Sequence, residues 1–359
     1  MRPGLGRATG IRKTAFAVSG VAARLIGMLT IRSELIWSAL IRRCKEVRYC
    51  LLTRERDIVF LFGAGASHGA GNILPESPPL GFQLYAELAR VHPGSWGRLP
   101  AEIRRALQSN FEDGMQLIYD RMSLVIPELM RQMAVYFVQF RPASGRTLYC
   151  SLIDALTRYG LLDRVLFSTL NYDCVLELSM LGRGIRFNYF EAADSNPGVP
   201  VWKLHGSCNM FATGVEATPG VQYTAGATFE GGLRASLEVN EIMETCLVKT
   251  ALAPAMALYM RGKPLNISPG VIRSLQARWK EAVSRSTAIF CVGVNPYPDD
   301  VHIWQPMAES AANLHFIGGK ALFEAWLAQF RAGRGEFIDD RFASGFEILG
   351  RRLAEYAAQ

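Results

Sequence analysis

Five short apolar runs each end in glycine or in a side chain able to do chemistry. Gly63-Ala64-Gly65-Ala66-Ser67-His68-Gly69 follows Asp57–Phe62, Leu170-Asn171-Tyr172-Asp173 follows Val165–Thr169, and His205-Gly206-Ser207 follows Val201–Leu204. Gly293-Val294-Asn295, with Asp299 and Asp300 close by, follows Thr287–Val292, and Gly318-Gly319 follows Asn313–Ile317. A histidine is the side chain best placed to take a proton near neutral pH, and a glycine-rich turn lets backbone N–H groups approach an anion. Each motif alone has a plainer reading: a tight turn without a ligand, Asp173 capping the helix that runs to Leu181, and His205 as a satisfied strand-end histidine. Their shared position is what carries weight. In an open parallel sheet ligands bind outside the carboxyl ends of the strands, and all five motifs stand there.

These positions presuppose a frame. Helical periodicity fills most gaps between the runs, and strand–helix–strand alternation predicts an α/β fold, a Rossmann-like doubly wound parallel sheet with helices on both faces. Leu148, Leu152, Ile153, Leu156 and Tyr159 repeat at helical spacing and stop at Gly160. Ala101–Ser109, Gln116–Met122 and Pro127–Phe140 read as successive helices with no strand between them, a helical insertion over about residues 101–145 whose Met115, Met122, Met130, Phe137 and Phe140 are core rather than cofactor-facing. Residues Asn209 to Gly232 are turn-rich, Ala251–Met260 and Pro269–Ser284 read as helices, and Ala321–Ala332 with Ser344–Ala358 close the chain as helices. The organisation expected is a basic segment over 1–50, one α/β domain over 51–320, and C-terminal helices over 321–359.

Charge and cysteine usage exclude several classes. The net charge of +7 is concentrated at the start: residues 1–50 hold ten Lys and Arg against Glu34 and Glu46, a net +8, so the other 309 residues carry −1. Nucleic-acid binding is therefore not indicated by net charge. The apolar stretch Ala15–Ala23 is too short to span a bilayer, so no membrane segment is expected, and the Arg-rich leader fits a transit peptide as well as a poorly ordered start. Seven cysteines without a C-x-x-C pair suggest neither disulfides nor a structural zinc site, and point to a reducing, cytoplasmic setting. The first glycine turn is spaced G-x-G-x-x-x-G, and no acid ends a second strand about twenty residues on, which argues against a hydride-transfer dinucleotide site.

Taken in order, FLFGAGAS at Phe60–Ser67, STLNYDCVLE at Ser168–Glu177, VWKLHGS at Val201–Ser207, ALYMRGKP at Ala257–Pro264 and IFCVGVNPYPDDVHI at Ile289–Ile303 resemble the sirtuin-like domain of the silent information regulator superfamily, in its zinc-free bacterial defence-type branch. The resemblance implies NAD as substrate. It implies that Gly63, Ala64, Gly65 and Ser67 anchor the diphosphate, that Asn171 lies beside the nicotinamide ribose and Asp173 near the carboxamide, and that His205 is the catalytic histidine. Gly293 and Asn295 would hold the adenosine ribose, with Gly318 near the adenine. Cys208 and Cys246 are the only thiols where deacylases carry four, so no zinc module and no metal ligands are expected. The activity implied is hydrolysis of NAD+ to nicotinamide and ADP-ribose by a gated effector of antiphage defence, a homo-oligomer with a partner ATPase or other defence protein. The rivals are a non-catalytic NAD or ADP-ribose module, a protein ADP-ribosyltransferase and a deacylase.

Overall fold

The computed structural model describes residues 56–190, 198–297 and 299–359. The basic segment over 1–50, with Cys44 and Cys50, lies outside the described residues.

Seven parallel strands form one sheet: β1 (Ile58–Phe62), β2 (Val165–Thr169), β3 (Phe187–Asn188), β4 (Val199–Lys203), β5 (Ala288–Val292), β6 (Asn313–Ile317) and β7 (Glu336–Asp339), in the order β7-β6-β5-β1-β2-β4-β3. The fold is thus α/β and Rossmann-like, as the alternation of elements predicts. Every residue of β1, β2, β4 and β5 is buried, which requires cover on both faces and explains why these strands read as continuous apolar runs rather than alternating ones. Phe60 stacks on Phe290 of β5 with centroids 4.9 Å apart and lies 5.6 Å from Phe167 of β2, so an aromatic row ties the three central strands together.

The register decides where the loops go. Ile317 pairs with Val292, Val292 with Phe62, Phe62 with Thr169, and Thr169 with Lys203. The carboxyl ends of five strands are therefore level. From β1 the chain builds β2, the edge strand β3 and then β4 between them on one side, then returns to build β5, β6 and β7 on the other, so direction reverses between β1 and β5. The crevice of such a sheet lies at that reversal.

The helices are α1 (Ala64–His68), α2 (Gly81–Val91), α3 (Ala101–Ser109), α4 (Phe111–Met122), α5 (Ile126–Phe137), α6 (Leu148–Arg158), α7 (Val175–Leu181), α8 (Val239–Glu244), α9 (Pro269–Arg285), α10 (Val301–Glu309), α11 (Lys320–Phe330) and α12 (Phe342–Ala357). Helices α3, α4 and α5 occupy the segment read as a helical insertion, and Met115, Met130, Phe137 and Phe140 are buried there. Three readings need correction. Ala251–Met260 is not a helix: Pro254 interrupts it, and its backbone instead pairs with the loop after β4. Between the C-terminal helices α11 and α12 runs strand β7, which extends the sheet. The short edge strand β3 also went unread.

Candidate active site

Asn171 stands two residues beyond β2, its N–H donating to Thr169 Oγ1 at 3.0 Å. Its Nδ2 donates to Gly63 O at 2.9 Å and to Ser67 Oγ at 3.0 Å. Because Gly63 O can only accept, the amide cannot be turned round. Both of its protons are committed, and Oδ1 is left as an acceptor with no partner among the described residues. Ser67 Oγ in turn donates to Asp173 Oδ1 at 3.2 Å and lies 3.1 Å from Tyr149 Oη. Asp173 Oδ1 also accepts the N–H of Val175 at 3.0 Å, so Asp173 ties the start of α7 into this network from the position before its N-cap, Cys174. Burial lifts the Asp173 carboxyl above its ordinary value, against the pull of Lys203 and the Val175 N–H.

Beneath this corner lies a pair that the motifs did not single out. Lys203 and Glu177 are wholly buried, with Nζ 2.9 Å from Oε1. Lys203 Nζ also donates to Asp173 O at 2.5 Å and Asn171 O at 3.2 Å. Burial works against the ammonium charge, but Glu177, with Cys174 and Asp173 behind it, outweighs burial and holds the lysine above its ordinary range. The signal was available: a lysine between Trp202 and Leu204 in an apolar strand must find a buried partner.

His205 ends the neighbouring strand. Its turn is bonded to the segment that failed to become a helix: Ser207 N–H donates to Ala255 O at 2.9 Å and Ala257 N–H to His205 O at 2.8 Å. Gly206, at φ +71°, must be glycine, since a Cβ there would lie 1.8 Å from Ala255 O. The imidazole is buried, with Nε2 3.0 Å from His302 Nε2 and 4.0 Å from Asp300 Oδ1. Burial, then His302 and Lys263, push the His205 imidazole well below its ordinary value, so it is neutral at pH 7. Burial and Lys263 hold His302 down at about 4. Asp300 is pushed up to about 6, by burial first and by Glu112 and Asp299, while Lys263 pulls the other way. Lys263 itself is hydrogen-bonded to Glu112 and stands 4.6 Å over the Tyr259 ring. His302 and Asp300 were not among the residues assigned a role from sequence. Their only mark is the D-D-x-H run after β5.

The glycine-rich turn has a packing role that the sequence reading did not give it. Gly63 N–H donates to Val292 O, Gly65 N–H to Gly293 O and Ala66 N–H to Gly63 O, at 3.0, 2.9 and 2.9 Å, so these donors are spent inside the protein. A Cβ on Gly63 would come within 2.6 Å of Gly293 O, and one on Gly293, at φ +64°, within 1.9 Å of Ala66 N. Glycine is required here because the loops after β1 and β5 touch backbone to backbone. Ala64 is exposed at the head of the turn. On the other side, Gly293 N–H donates to Ile317 O at 2.7 Å, Gly318 approaches Val294 O, and the exposed Asn295 accepts the Gly319 N–H at 3.4 Å, which brings Gly293, Asn295 and Gly318 together.

The rim thus holds two side-chain clusters, one around Asn171, Ser67 and Asp173 and one around His205. They occupy adjacent strand ends and share no hydrogen bond. Cys208 lies with Sγ 3.9 Å from that of Cys174, and both are free and buried, as is Cys246. A cavity of about 450 Å³ opens at the opposite end of the sheet, between His315, Glu336, Arg352 and Tyr356. These side chains are tied to one another, His315 to Glu336 at 2.7 Å and Glu336 to Arg352 at 2.6 Å, and none of the strand-end motifs reaches them.

No model of a known protein family matches the sequence, and no curated protein matches it. Among solved structures, the chain is similar to a sirtuin studied for the structural basis of sirtuin substrate affinity, at 15% identity and a TM-score of 0.44, over 91% of this chain and 99% of that one. It is similar to Sir2 in complex with an inhibitor, 2'-O-acetyl-ADP-ribose and a deacetylated peptide, at 14% identity and 0.40, over 89% and 99%. A Sir2 homologue–NAD complex aligns at 15% identity and 0.37, over 89% and 93%. The architecture itself rests on the strand order and register given above. Among the described residues no helix is long and apolar enough to cross a membrane.

Proposed function

We propose that this rim binds NAD+ and hydrolyses its nicotinamide–ribose bond. Nicotinamide leaves as a neutral molecule from a cationic ring, so the leaving group needs no proton. The reaction needs a placed water and a base as oxocarbenium charge develops on the ribose. Asn171 Oδ1, with both amide protons held by Gly63 and Ser67, is an acceptor fixed to orient that water or a ribose hydroxyl. His205, neutral at pH 7, takes the water's proton at a ring nitrogen, and the imidazolium so formed gains Asp300 as counter-charge from 4.0 Å. Asp173 acts as a positioning residue, through Ser67 and the start of α7. The turn at Gly63, Ala64, Gly65 and Ser67 lies under the diphosphate, and Gly293, Asn295 and Gly318 under the adenosine.

The observation that carries this reading is the placement of a one-way acceptor, Asn171 Oδ1, at the strand end next to a neutral histidine. The ordered motifs resembling sirtuin-like domains support it. The same resemblance is the basis for a wider role as a gated, cytoplasmic, oligomeric effector that depletes NAD in antiphage defence beside a partner such as an ATPase. The test is incubation of the full chain with NAD+ and quantitation of nicotinamide and ADP-ribose, with His205→Ala and Asn171→Ala as controls. Release in the parent and its loss in both variants, with NAD binding retained, is the expected result. Binding without release makes the chain a sensor module, and label from NAD appearing on polypeptide makes it a transferase.

A further inference from the structure

We propose that His205, Asp300 and His302 form a binding site for a divalent transition metal, zinc by the chemistry of its donors, and that its occupancy switches off the base.

Asp300 provides the first observation. It precedes α10, at the position where an aspartate normally accepts a helix N–H, yet it makes no such bond. Its side chain is instead turned inward, only 9% exposed, and Oδ1 is buried without a hydrogen-bond partner. A buried carboxylate oxygen left without a donor is costly, and a cation is the partner that would satisfy it. The second observation is the convergence of donors. One nitrogen from each of the two imidazoles and one oxygen of Asp300 lie within 4.8 Å of one another, the two Nε2 atoms at 3.0 Å. Zinc bonded to two imidazoles and a carboxylate at about 2.0–2.2 Å sets its ligand atoms roughly 3.3 Å apart, so the imidazoles are near their places and Asp300 has about 1 Å to swing.

Two nitrogens and one oxygen, with a fourth position open to water, match zinc and its late first-row neighbours rather than magnesium or calcium, which take oxygen sets. Lys263, the cation whose charge acts on all three of these residues, is paired with Glu112, and the half-buried His302 gives the site a way in from solvent. Because His205 follows β4 while Asp300 and His302 follow β5, no spacing motif announces the set. A metal on His205 occupies the lone pair that hydrolysis uses. This regulatory half rests on the hydrolase reading; the metal site does not.

The full chain, stripped with chelator, is titrated with Co2+ while visible absorption is followed, and then with Zn2+ by calorimetry. The expected result is one equivalent bound with the absorption of a four-coordinate cobalt site, and at least about tenfold weaker Zn2+ binding in both His302→Asn and Asp300→Asn, whose folding is checked by thermal melting. No binding at micromolar metal overturns the proposal, as does binding unchanged in both variants, which would place the metal elsewhere. Nicotinamide release is then measured in chelator and in Zn2+, each protein relative to its own chelated rate. Inhibition in the parent that needs at least about tenfold more Zn2+ in His302→Asn supports the switch. Zinc that binds without inhibiting overturns it. Zinc binding as expected with no release under any condition removes the hydrolase reading and the switch with it, and leaves the metal site standing.

Discussion

The two clusters at the rim differ in how far their polar groups are tied to one another and their charges balanced. Around Asn171 the network nearly closes: its amide protons go to Gly63 and Ser67, Ser67 to Asp173, and the carbonyls of Asn171 and Asp173 to a lysine that Glu177 balances, with Asn171 Oδ1 and Glu177 Oε2 left without a partner among the described residues. Around His205 the accounts stay open, with two imidazoles sharing one contact and an aspartate oxygen that has no donor. Buried polar groups are normally paired, so an incomplete set needs a reason. The closed cluster holds geometry. The open one has capacity left for a proton or a cation.

Mutations can break or sharpen this contrast. The largest effect is expected from His205→Ala, which should lower nicotinamide release by about a hundred- to ten-thousandfold while NAD binding, followed by calorimetry, stays near parental. Next, Lys203→Ala strands the Glu177 carboxylate and should cost about 3–5 kcal/mol in denaturant unfolding; a loss below about 1 kcal/mol would show that the closed cluster is not held from beneath. Gly293→Ala forces a Cβ into the Ala66 backbone at a left-handed φ, and about 2 kcal/mol of destabilisation is expected by thermal melting. The smallest pair tests the contrast by sign. Ser67→Ala should destabilise by about 1–2 kcal/mol, because it removes a donor from Asp173 and an acceptor from Asn171. Asp300→Asn, measured in chelator, should stabilise by up to about 1 kcal/mol, because it removes an unpartnered buried charge. Equal signs would mean that the clusters do not differ.

The central sheet was legible because its strands are buried on both faces and so stand out as β-branched and aromatic runs. The edges were not: β3 has only two residues, Phe187 and Asn188, and β7 mixes Glu336 and Asp339 with Phe337 and Ile338, a pattern without the apolar continuity of the centre. Ala251–Met260 carries apolar residues at helix-compatible spacing, but tertiary pairing with the His205 turn overrides that local preference. At the rim, Asn171 and His205 could be named from their place after strands. The partners that set their chemistry could not, because Lys203 acts across to Glu177 and His302 across to His205, each through contacts between distant segments. The glycines were recognised as a turn, but not for the loop-against-loop packing that also requires them, since that packing leaves the same trace in sequence as a ligand.

That packing bears on how the crevice can respond to what enters it. With Gly63 and Gly65 pressed against Gly293, and Gly293 tied onward to Ile317, the floor from the proposed adenosine end to Asn171 is one continuous slab of main chain. A ligand seated at one end cannot hinge that slab. Accommodation has to come from the walls, and the start of α10, bearing Asp300 and His302, is the wall that faces the histidine.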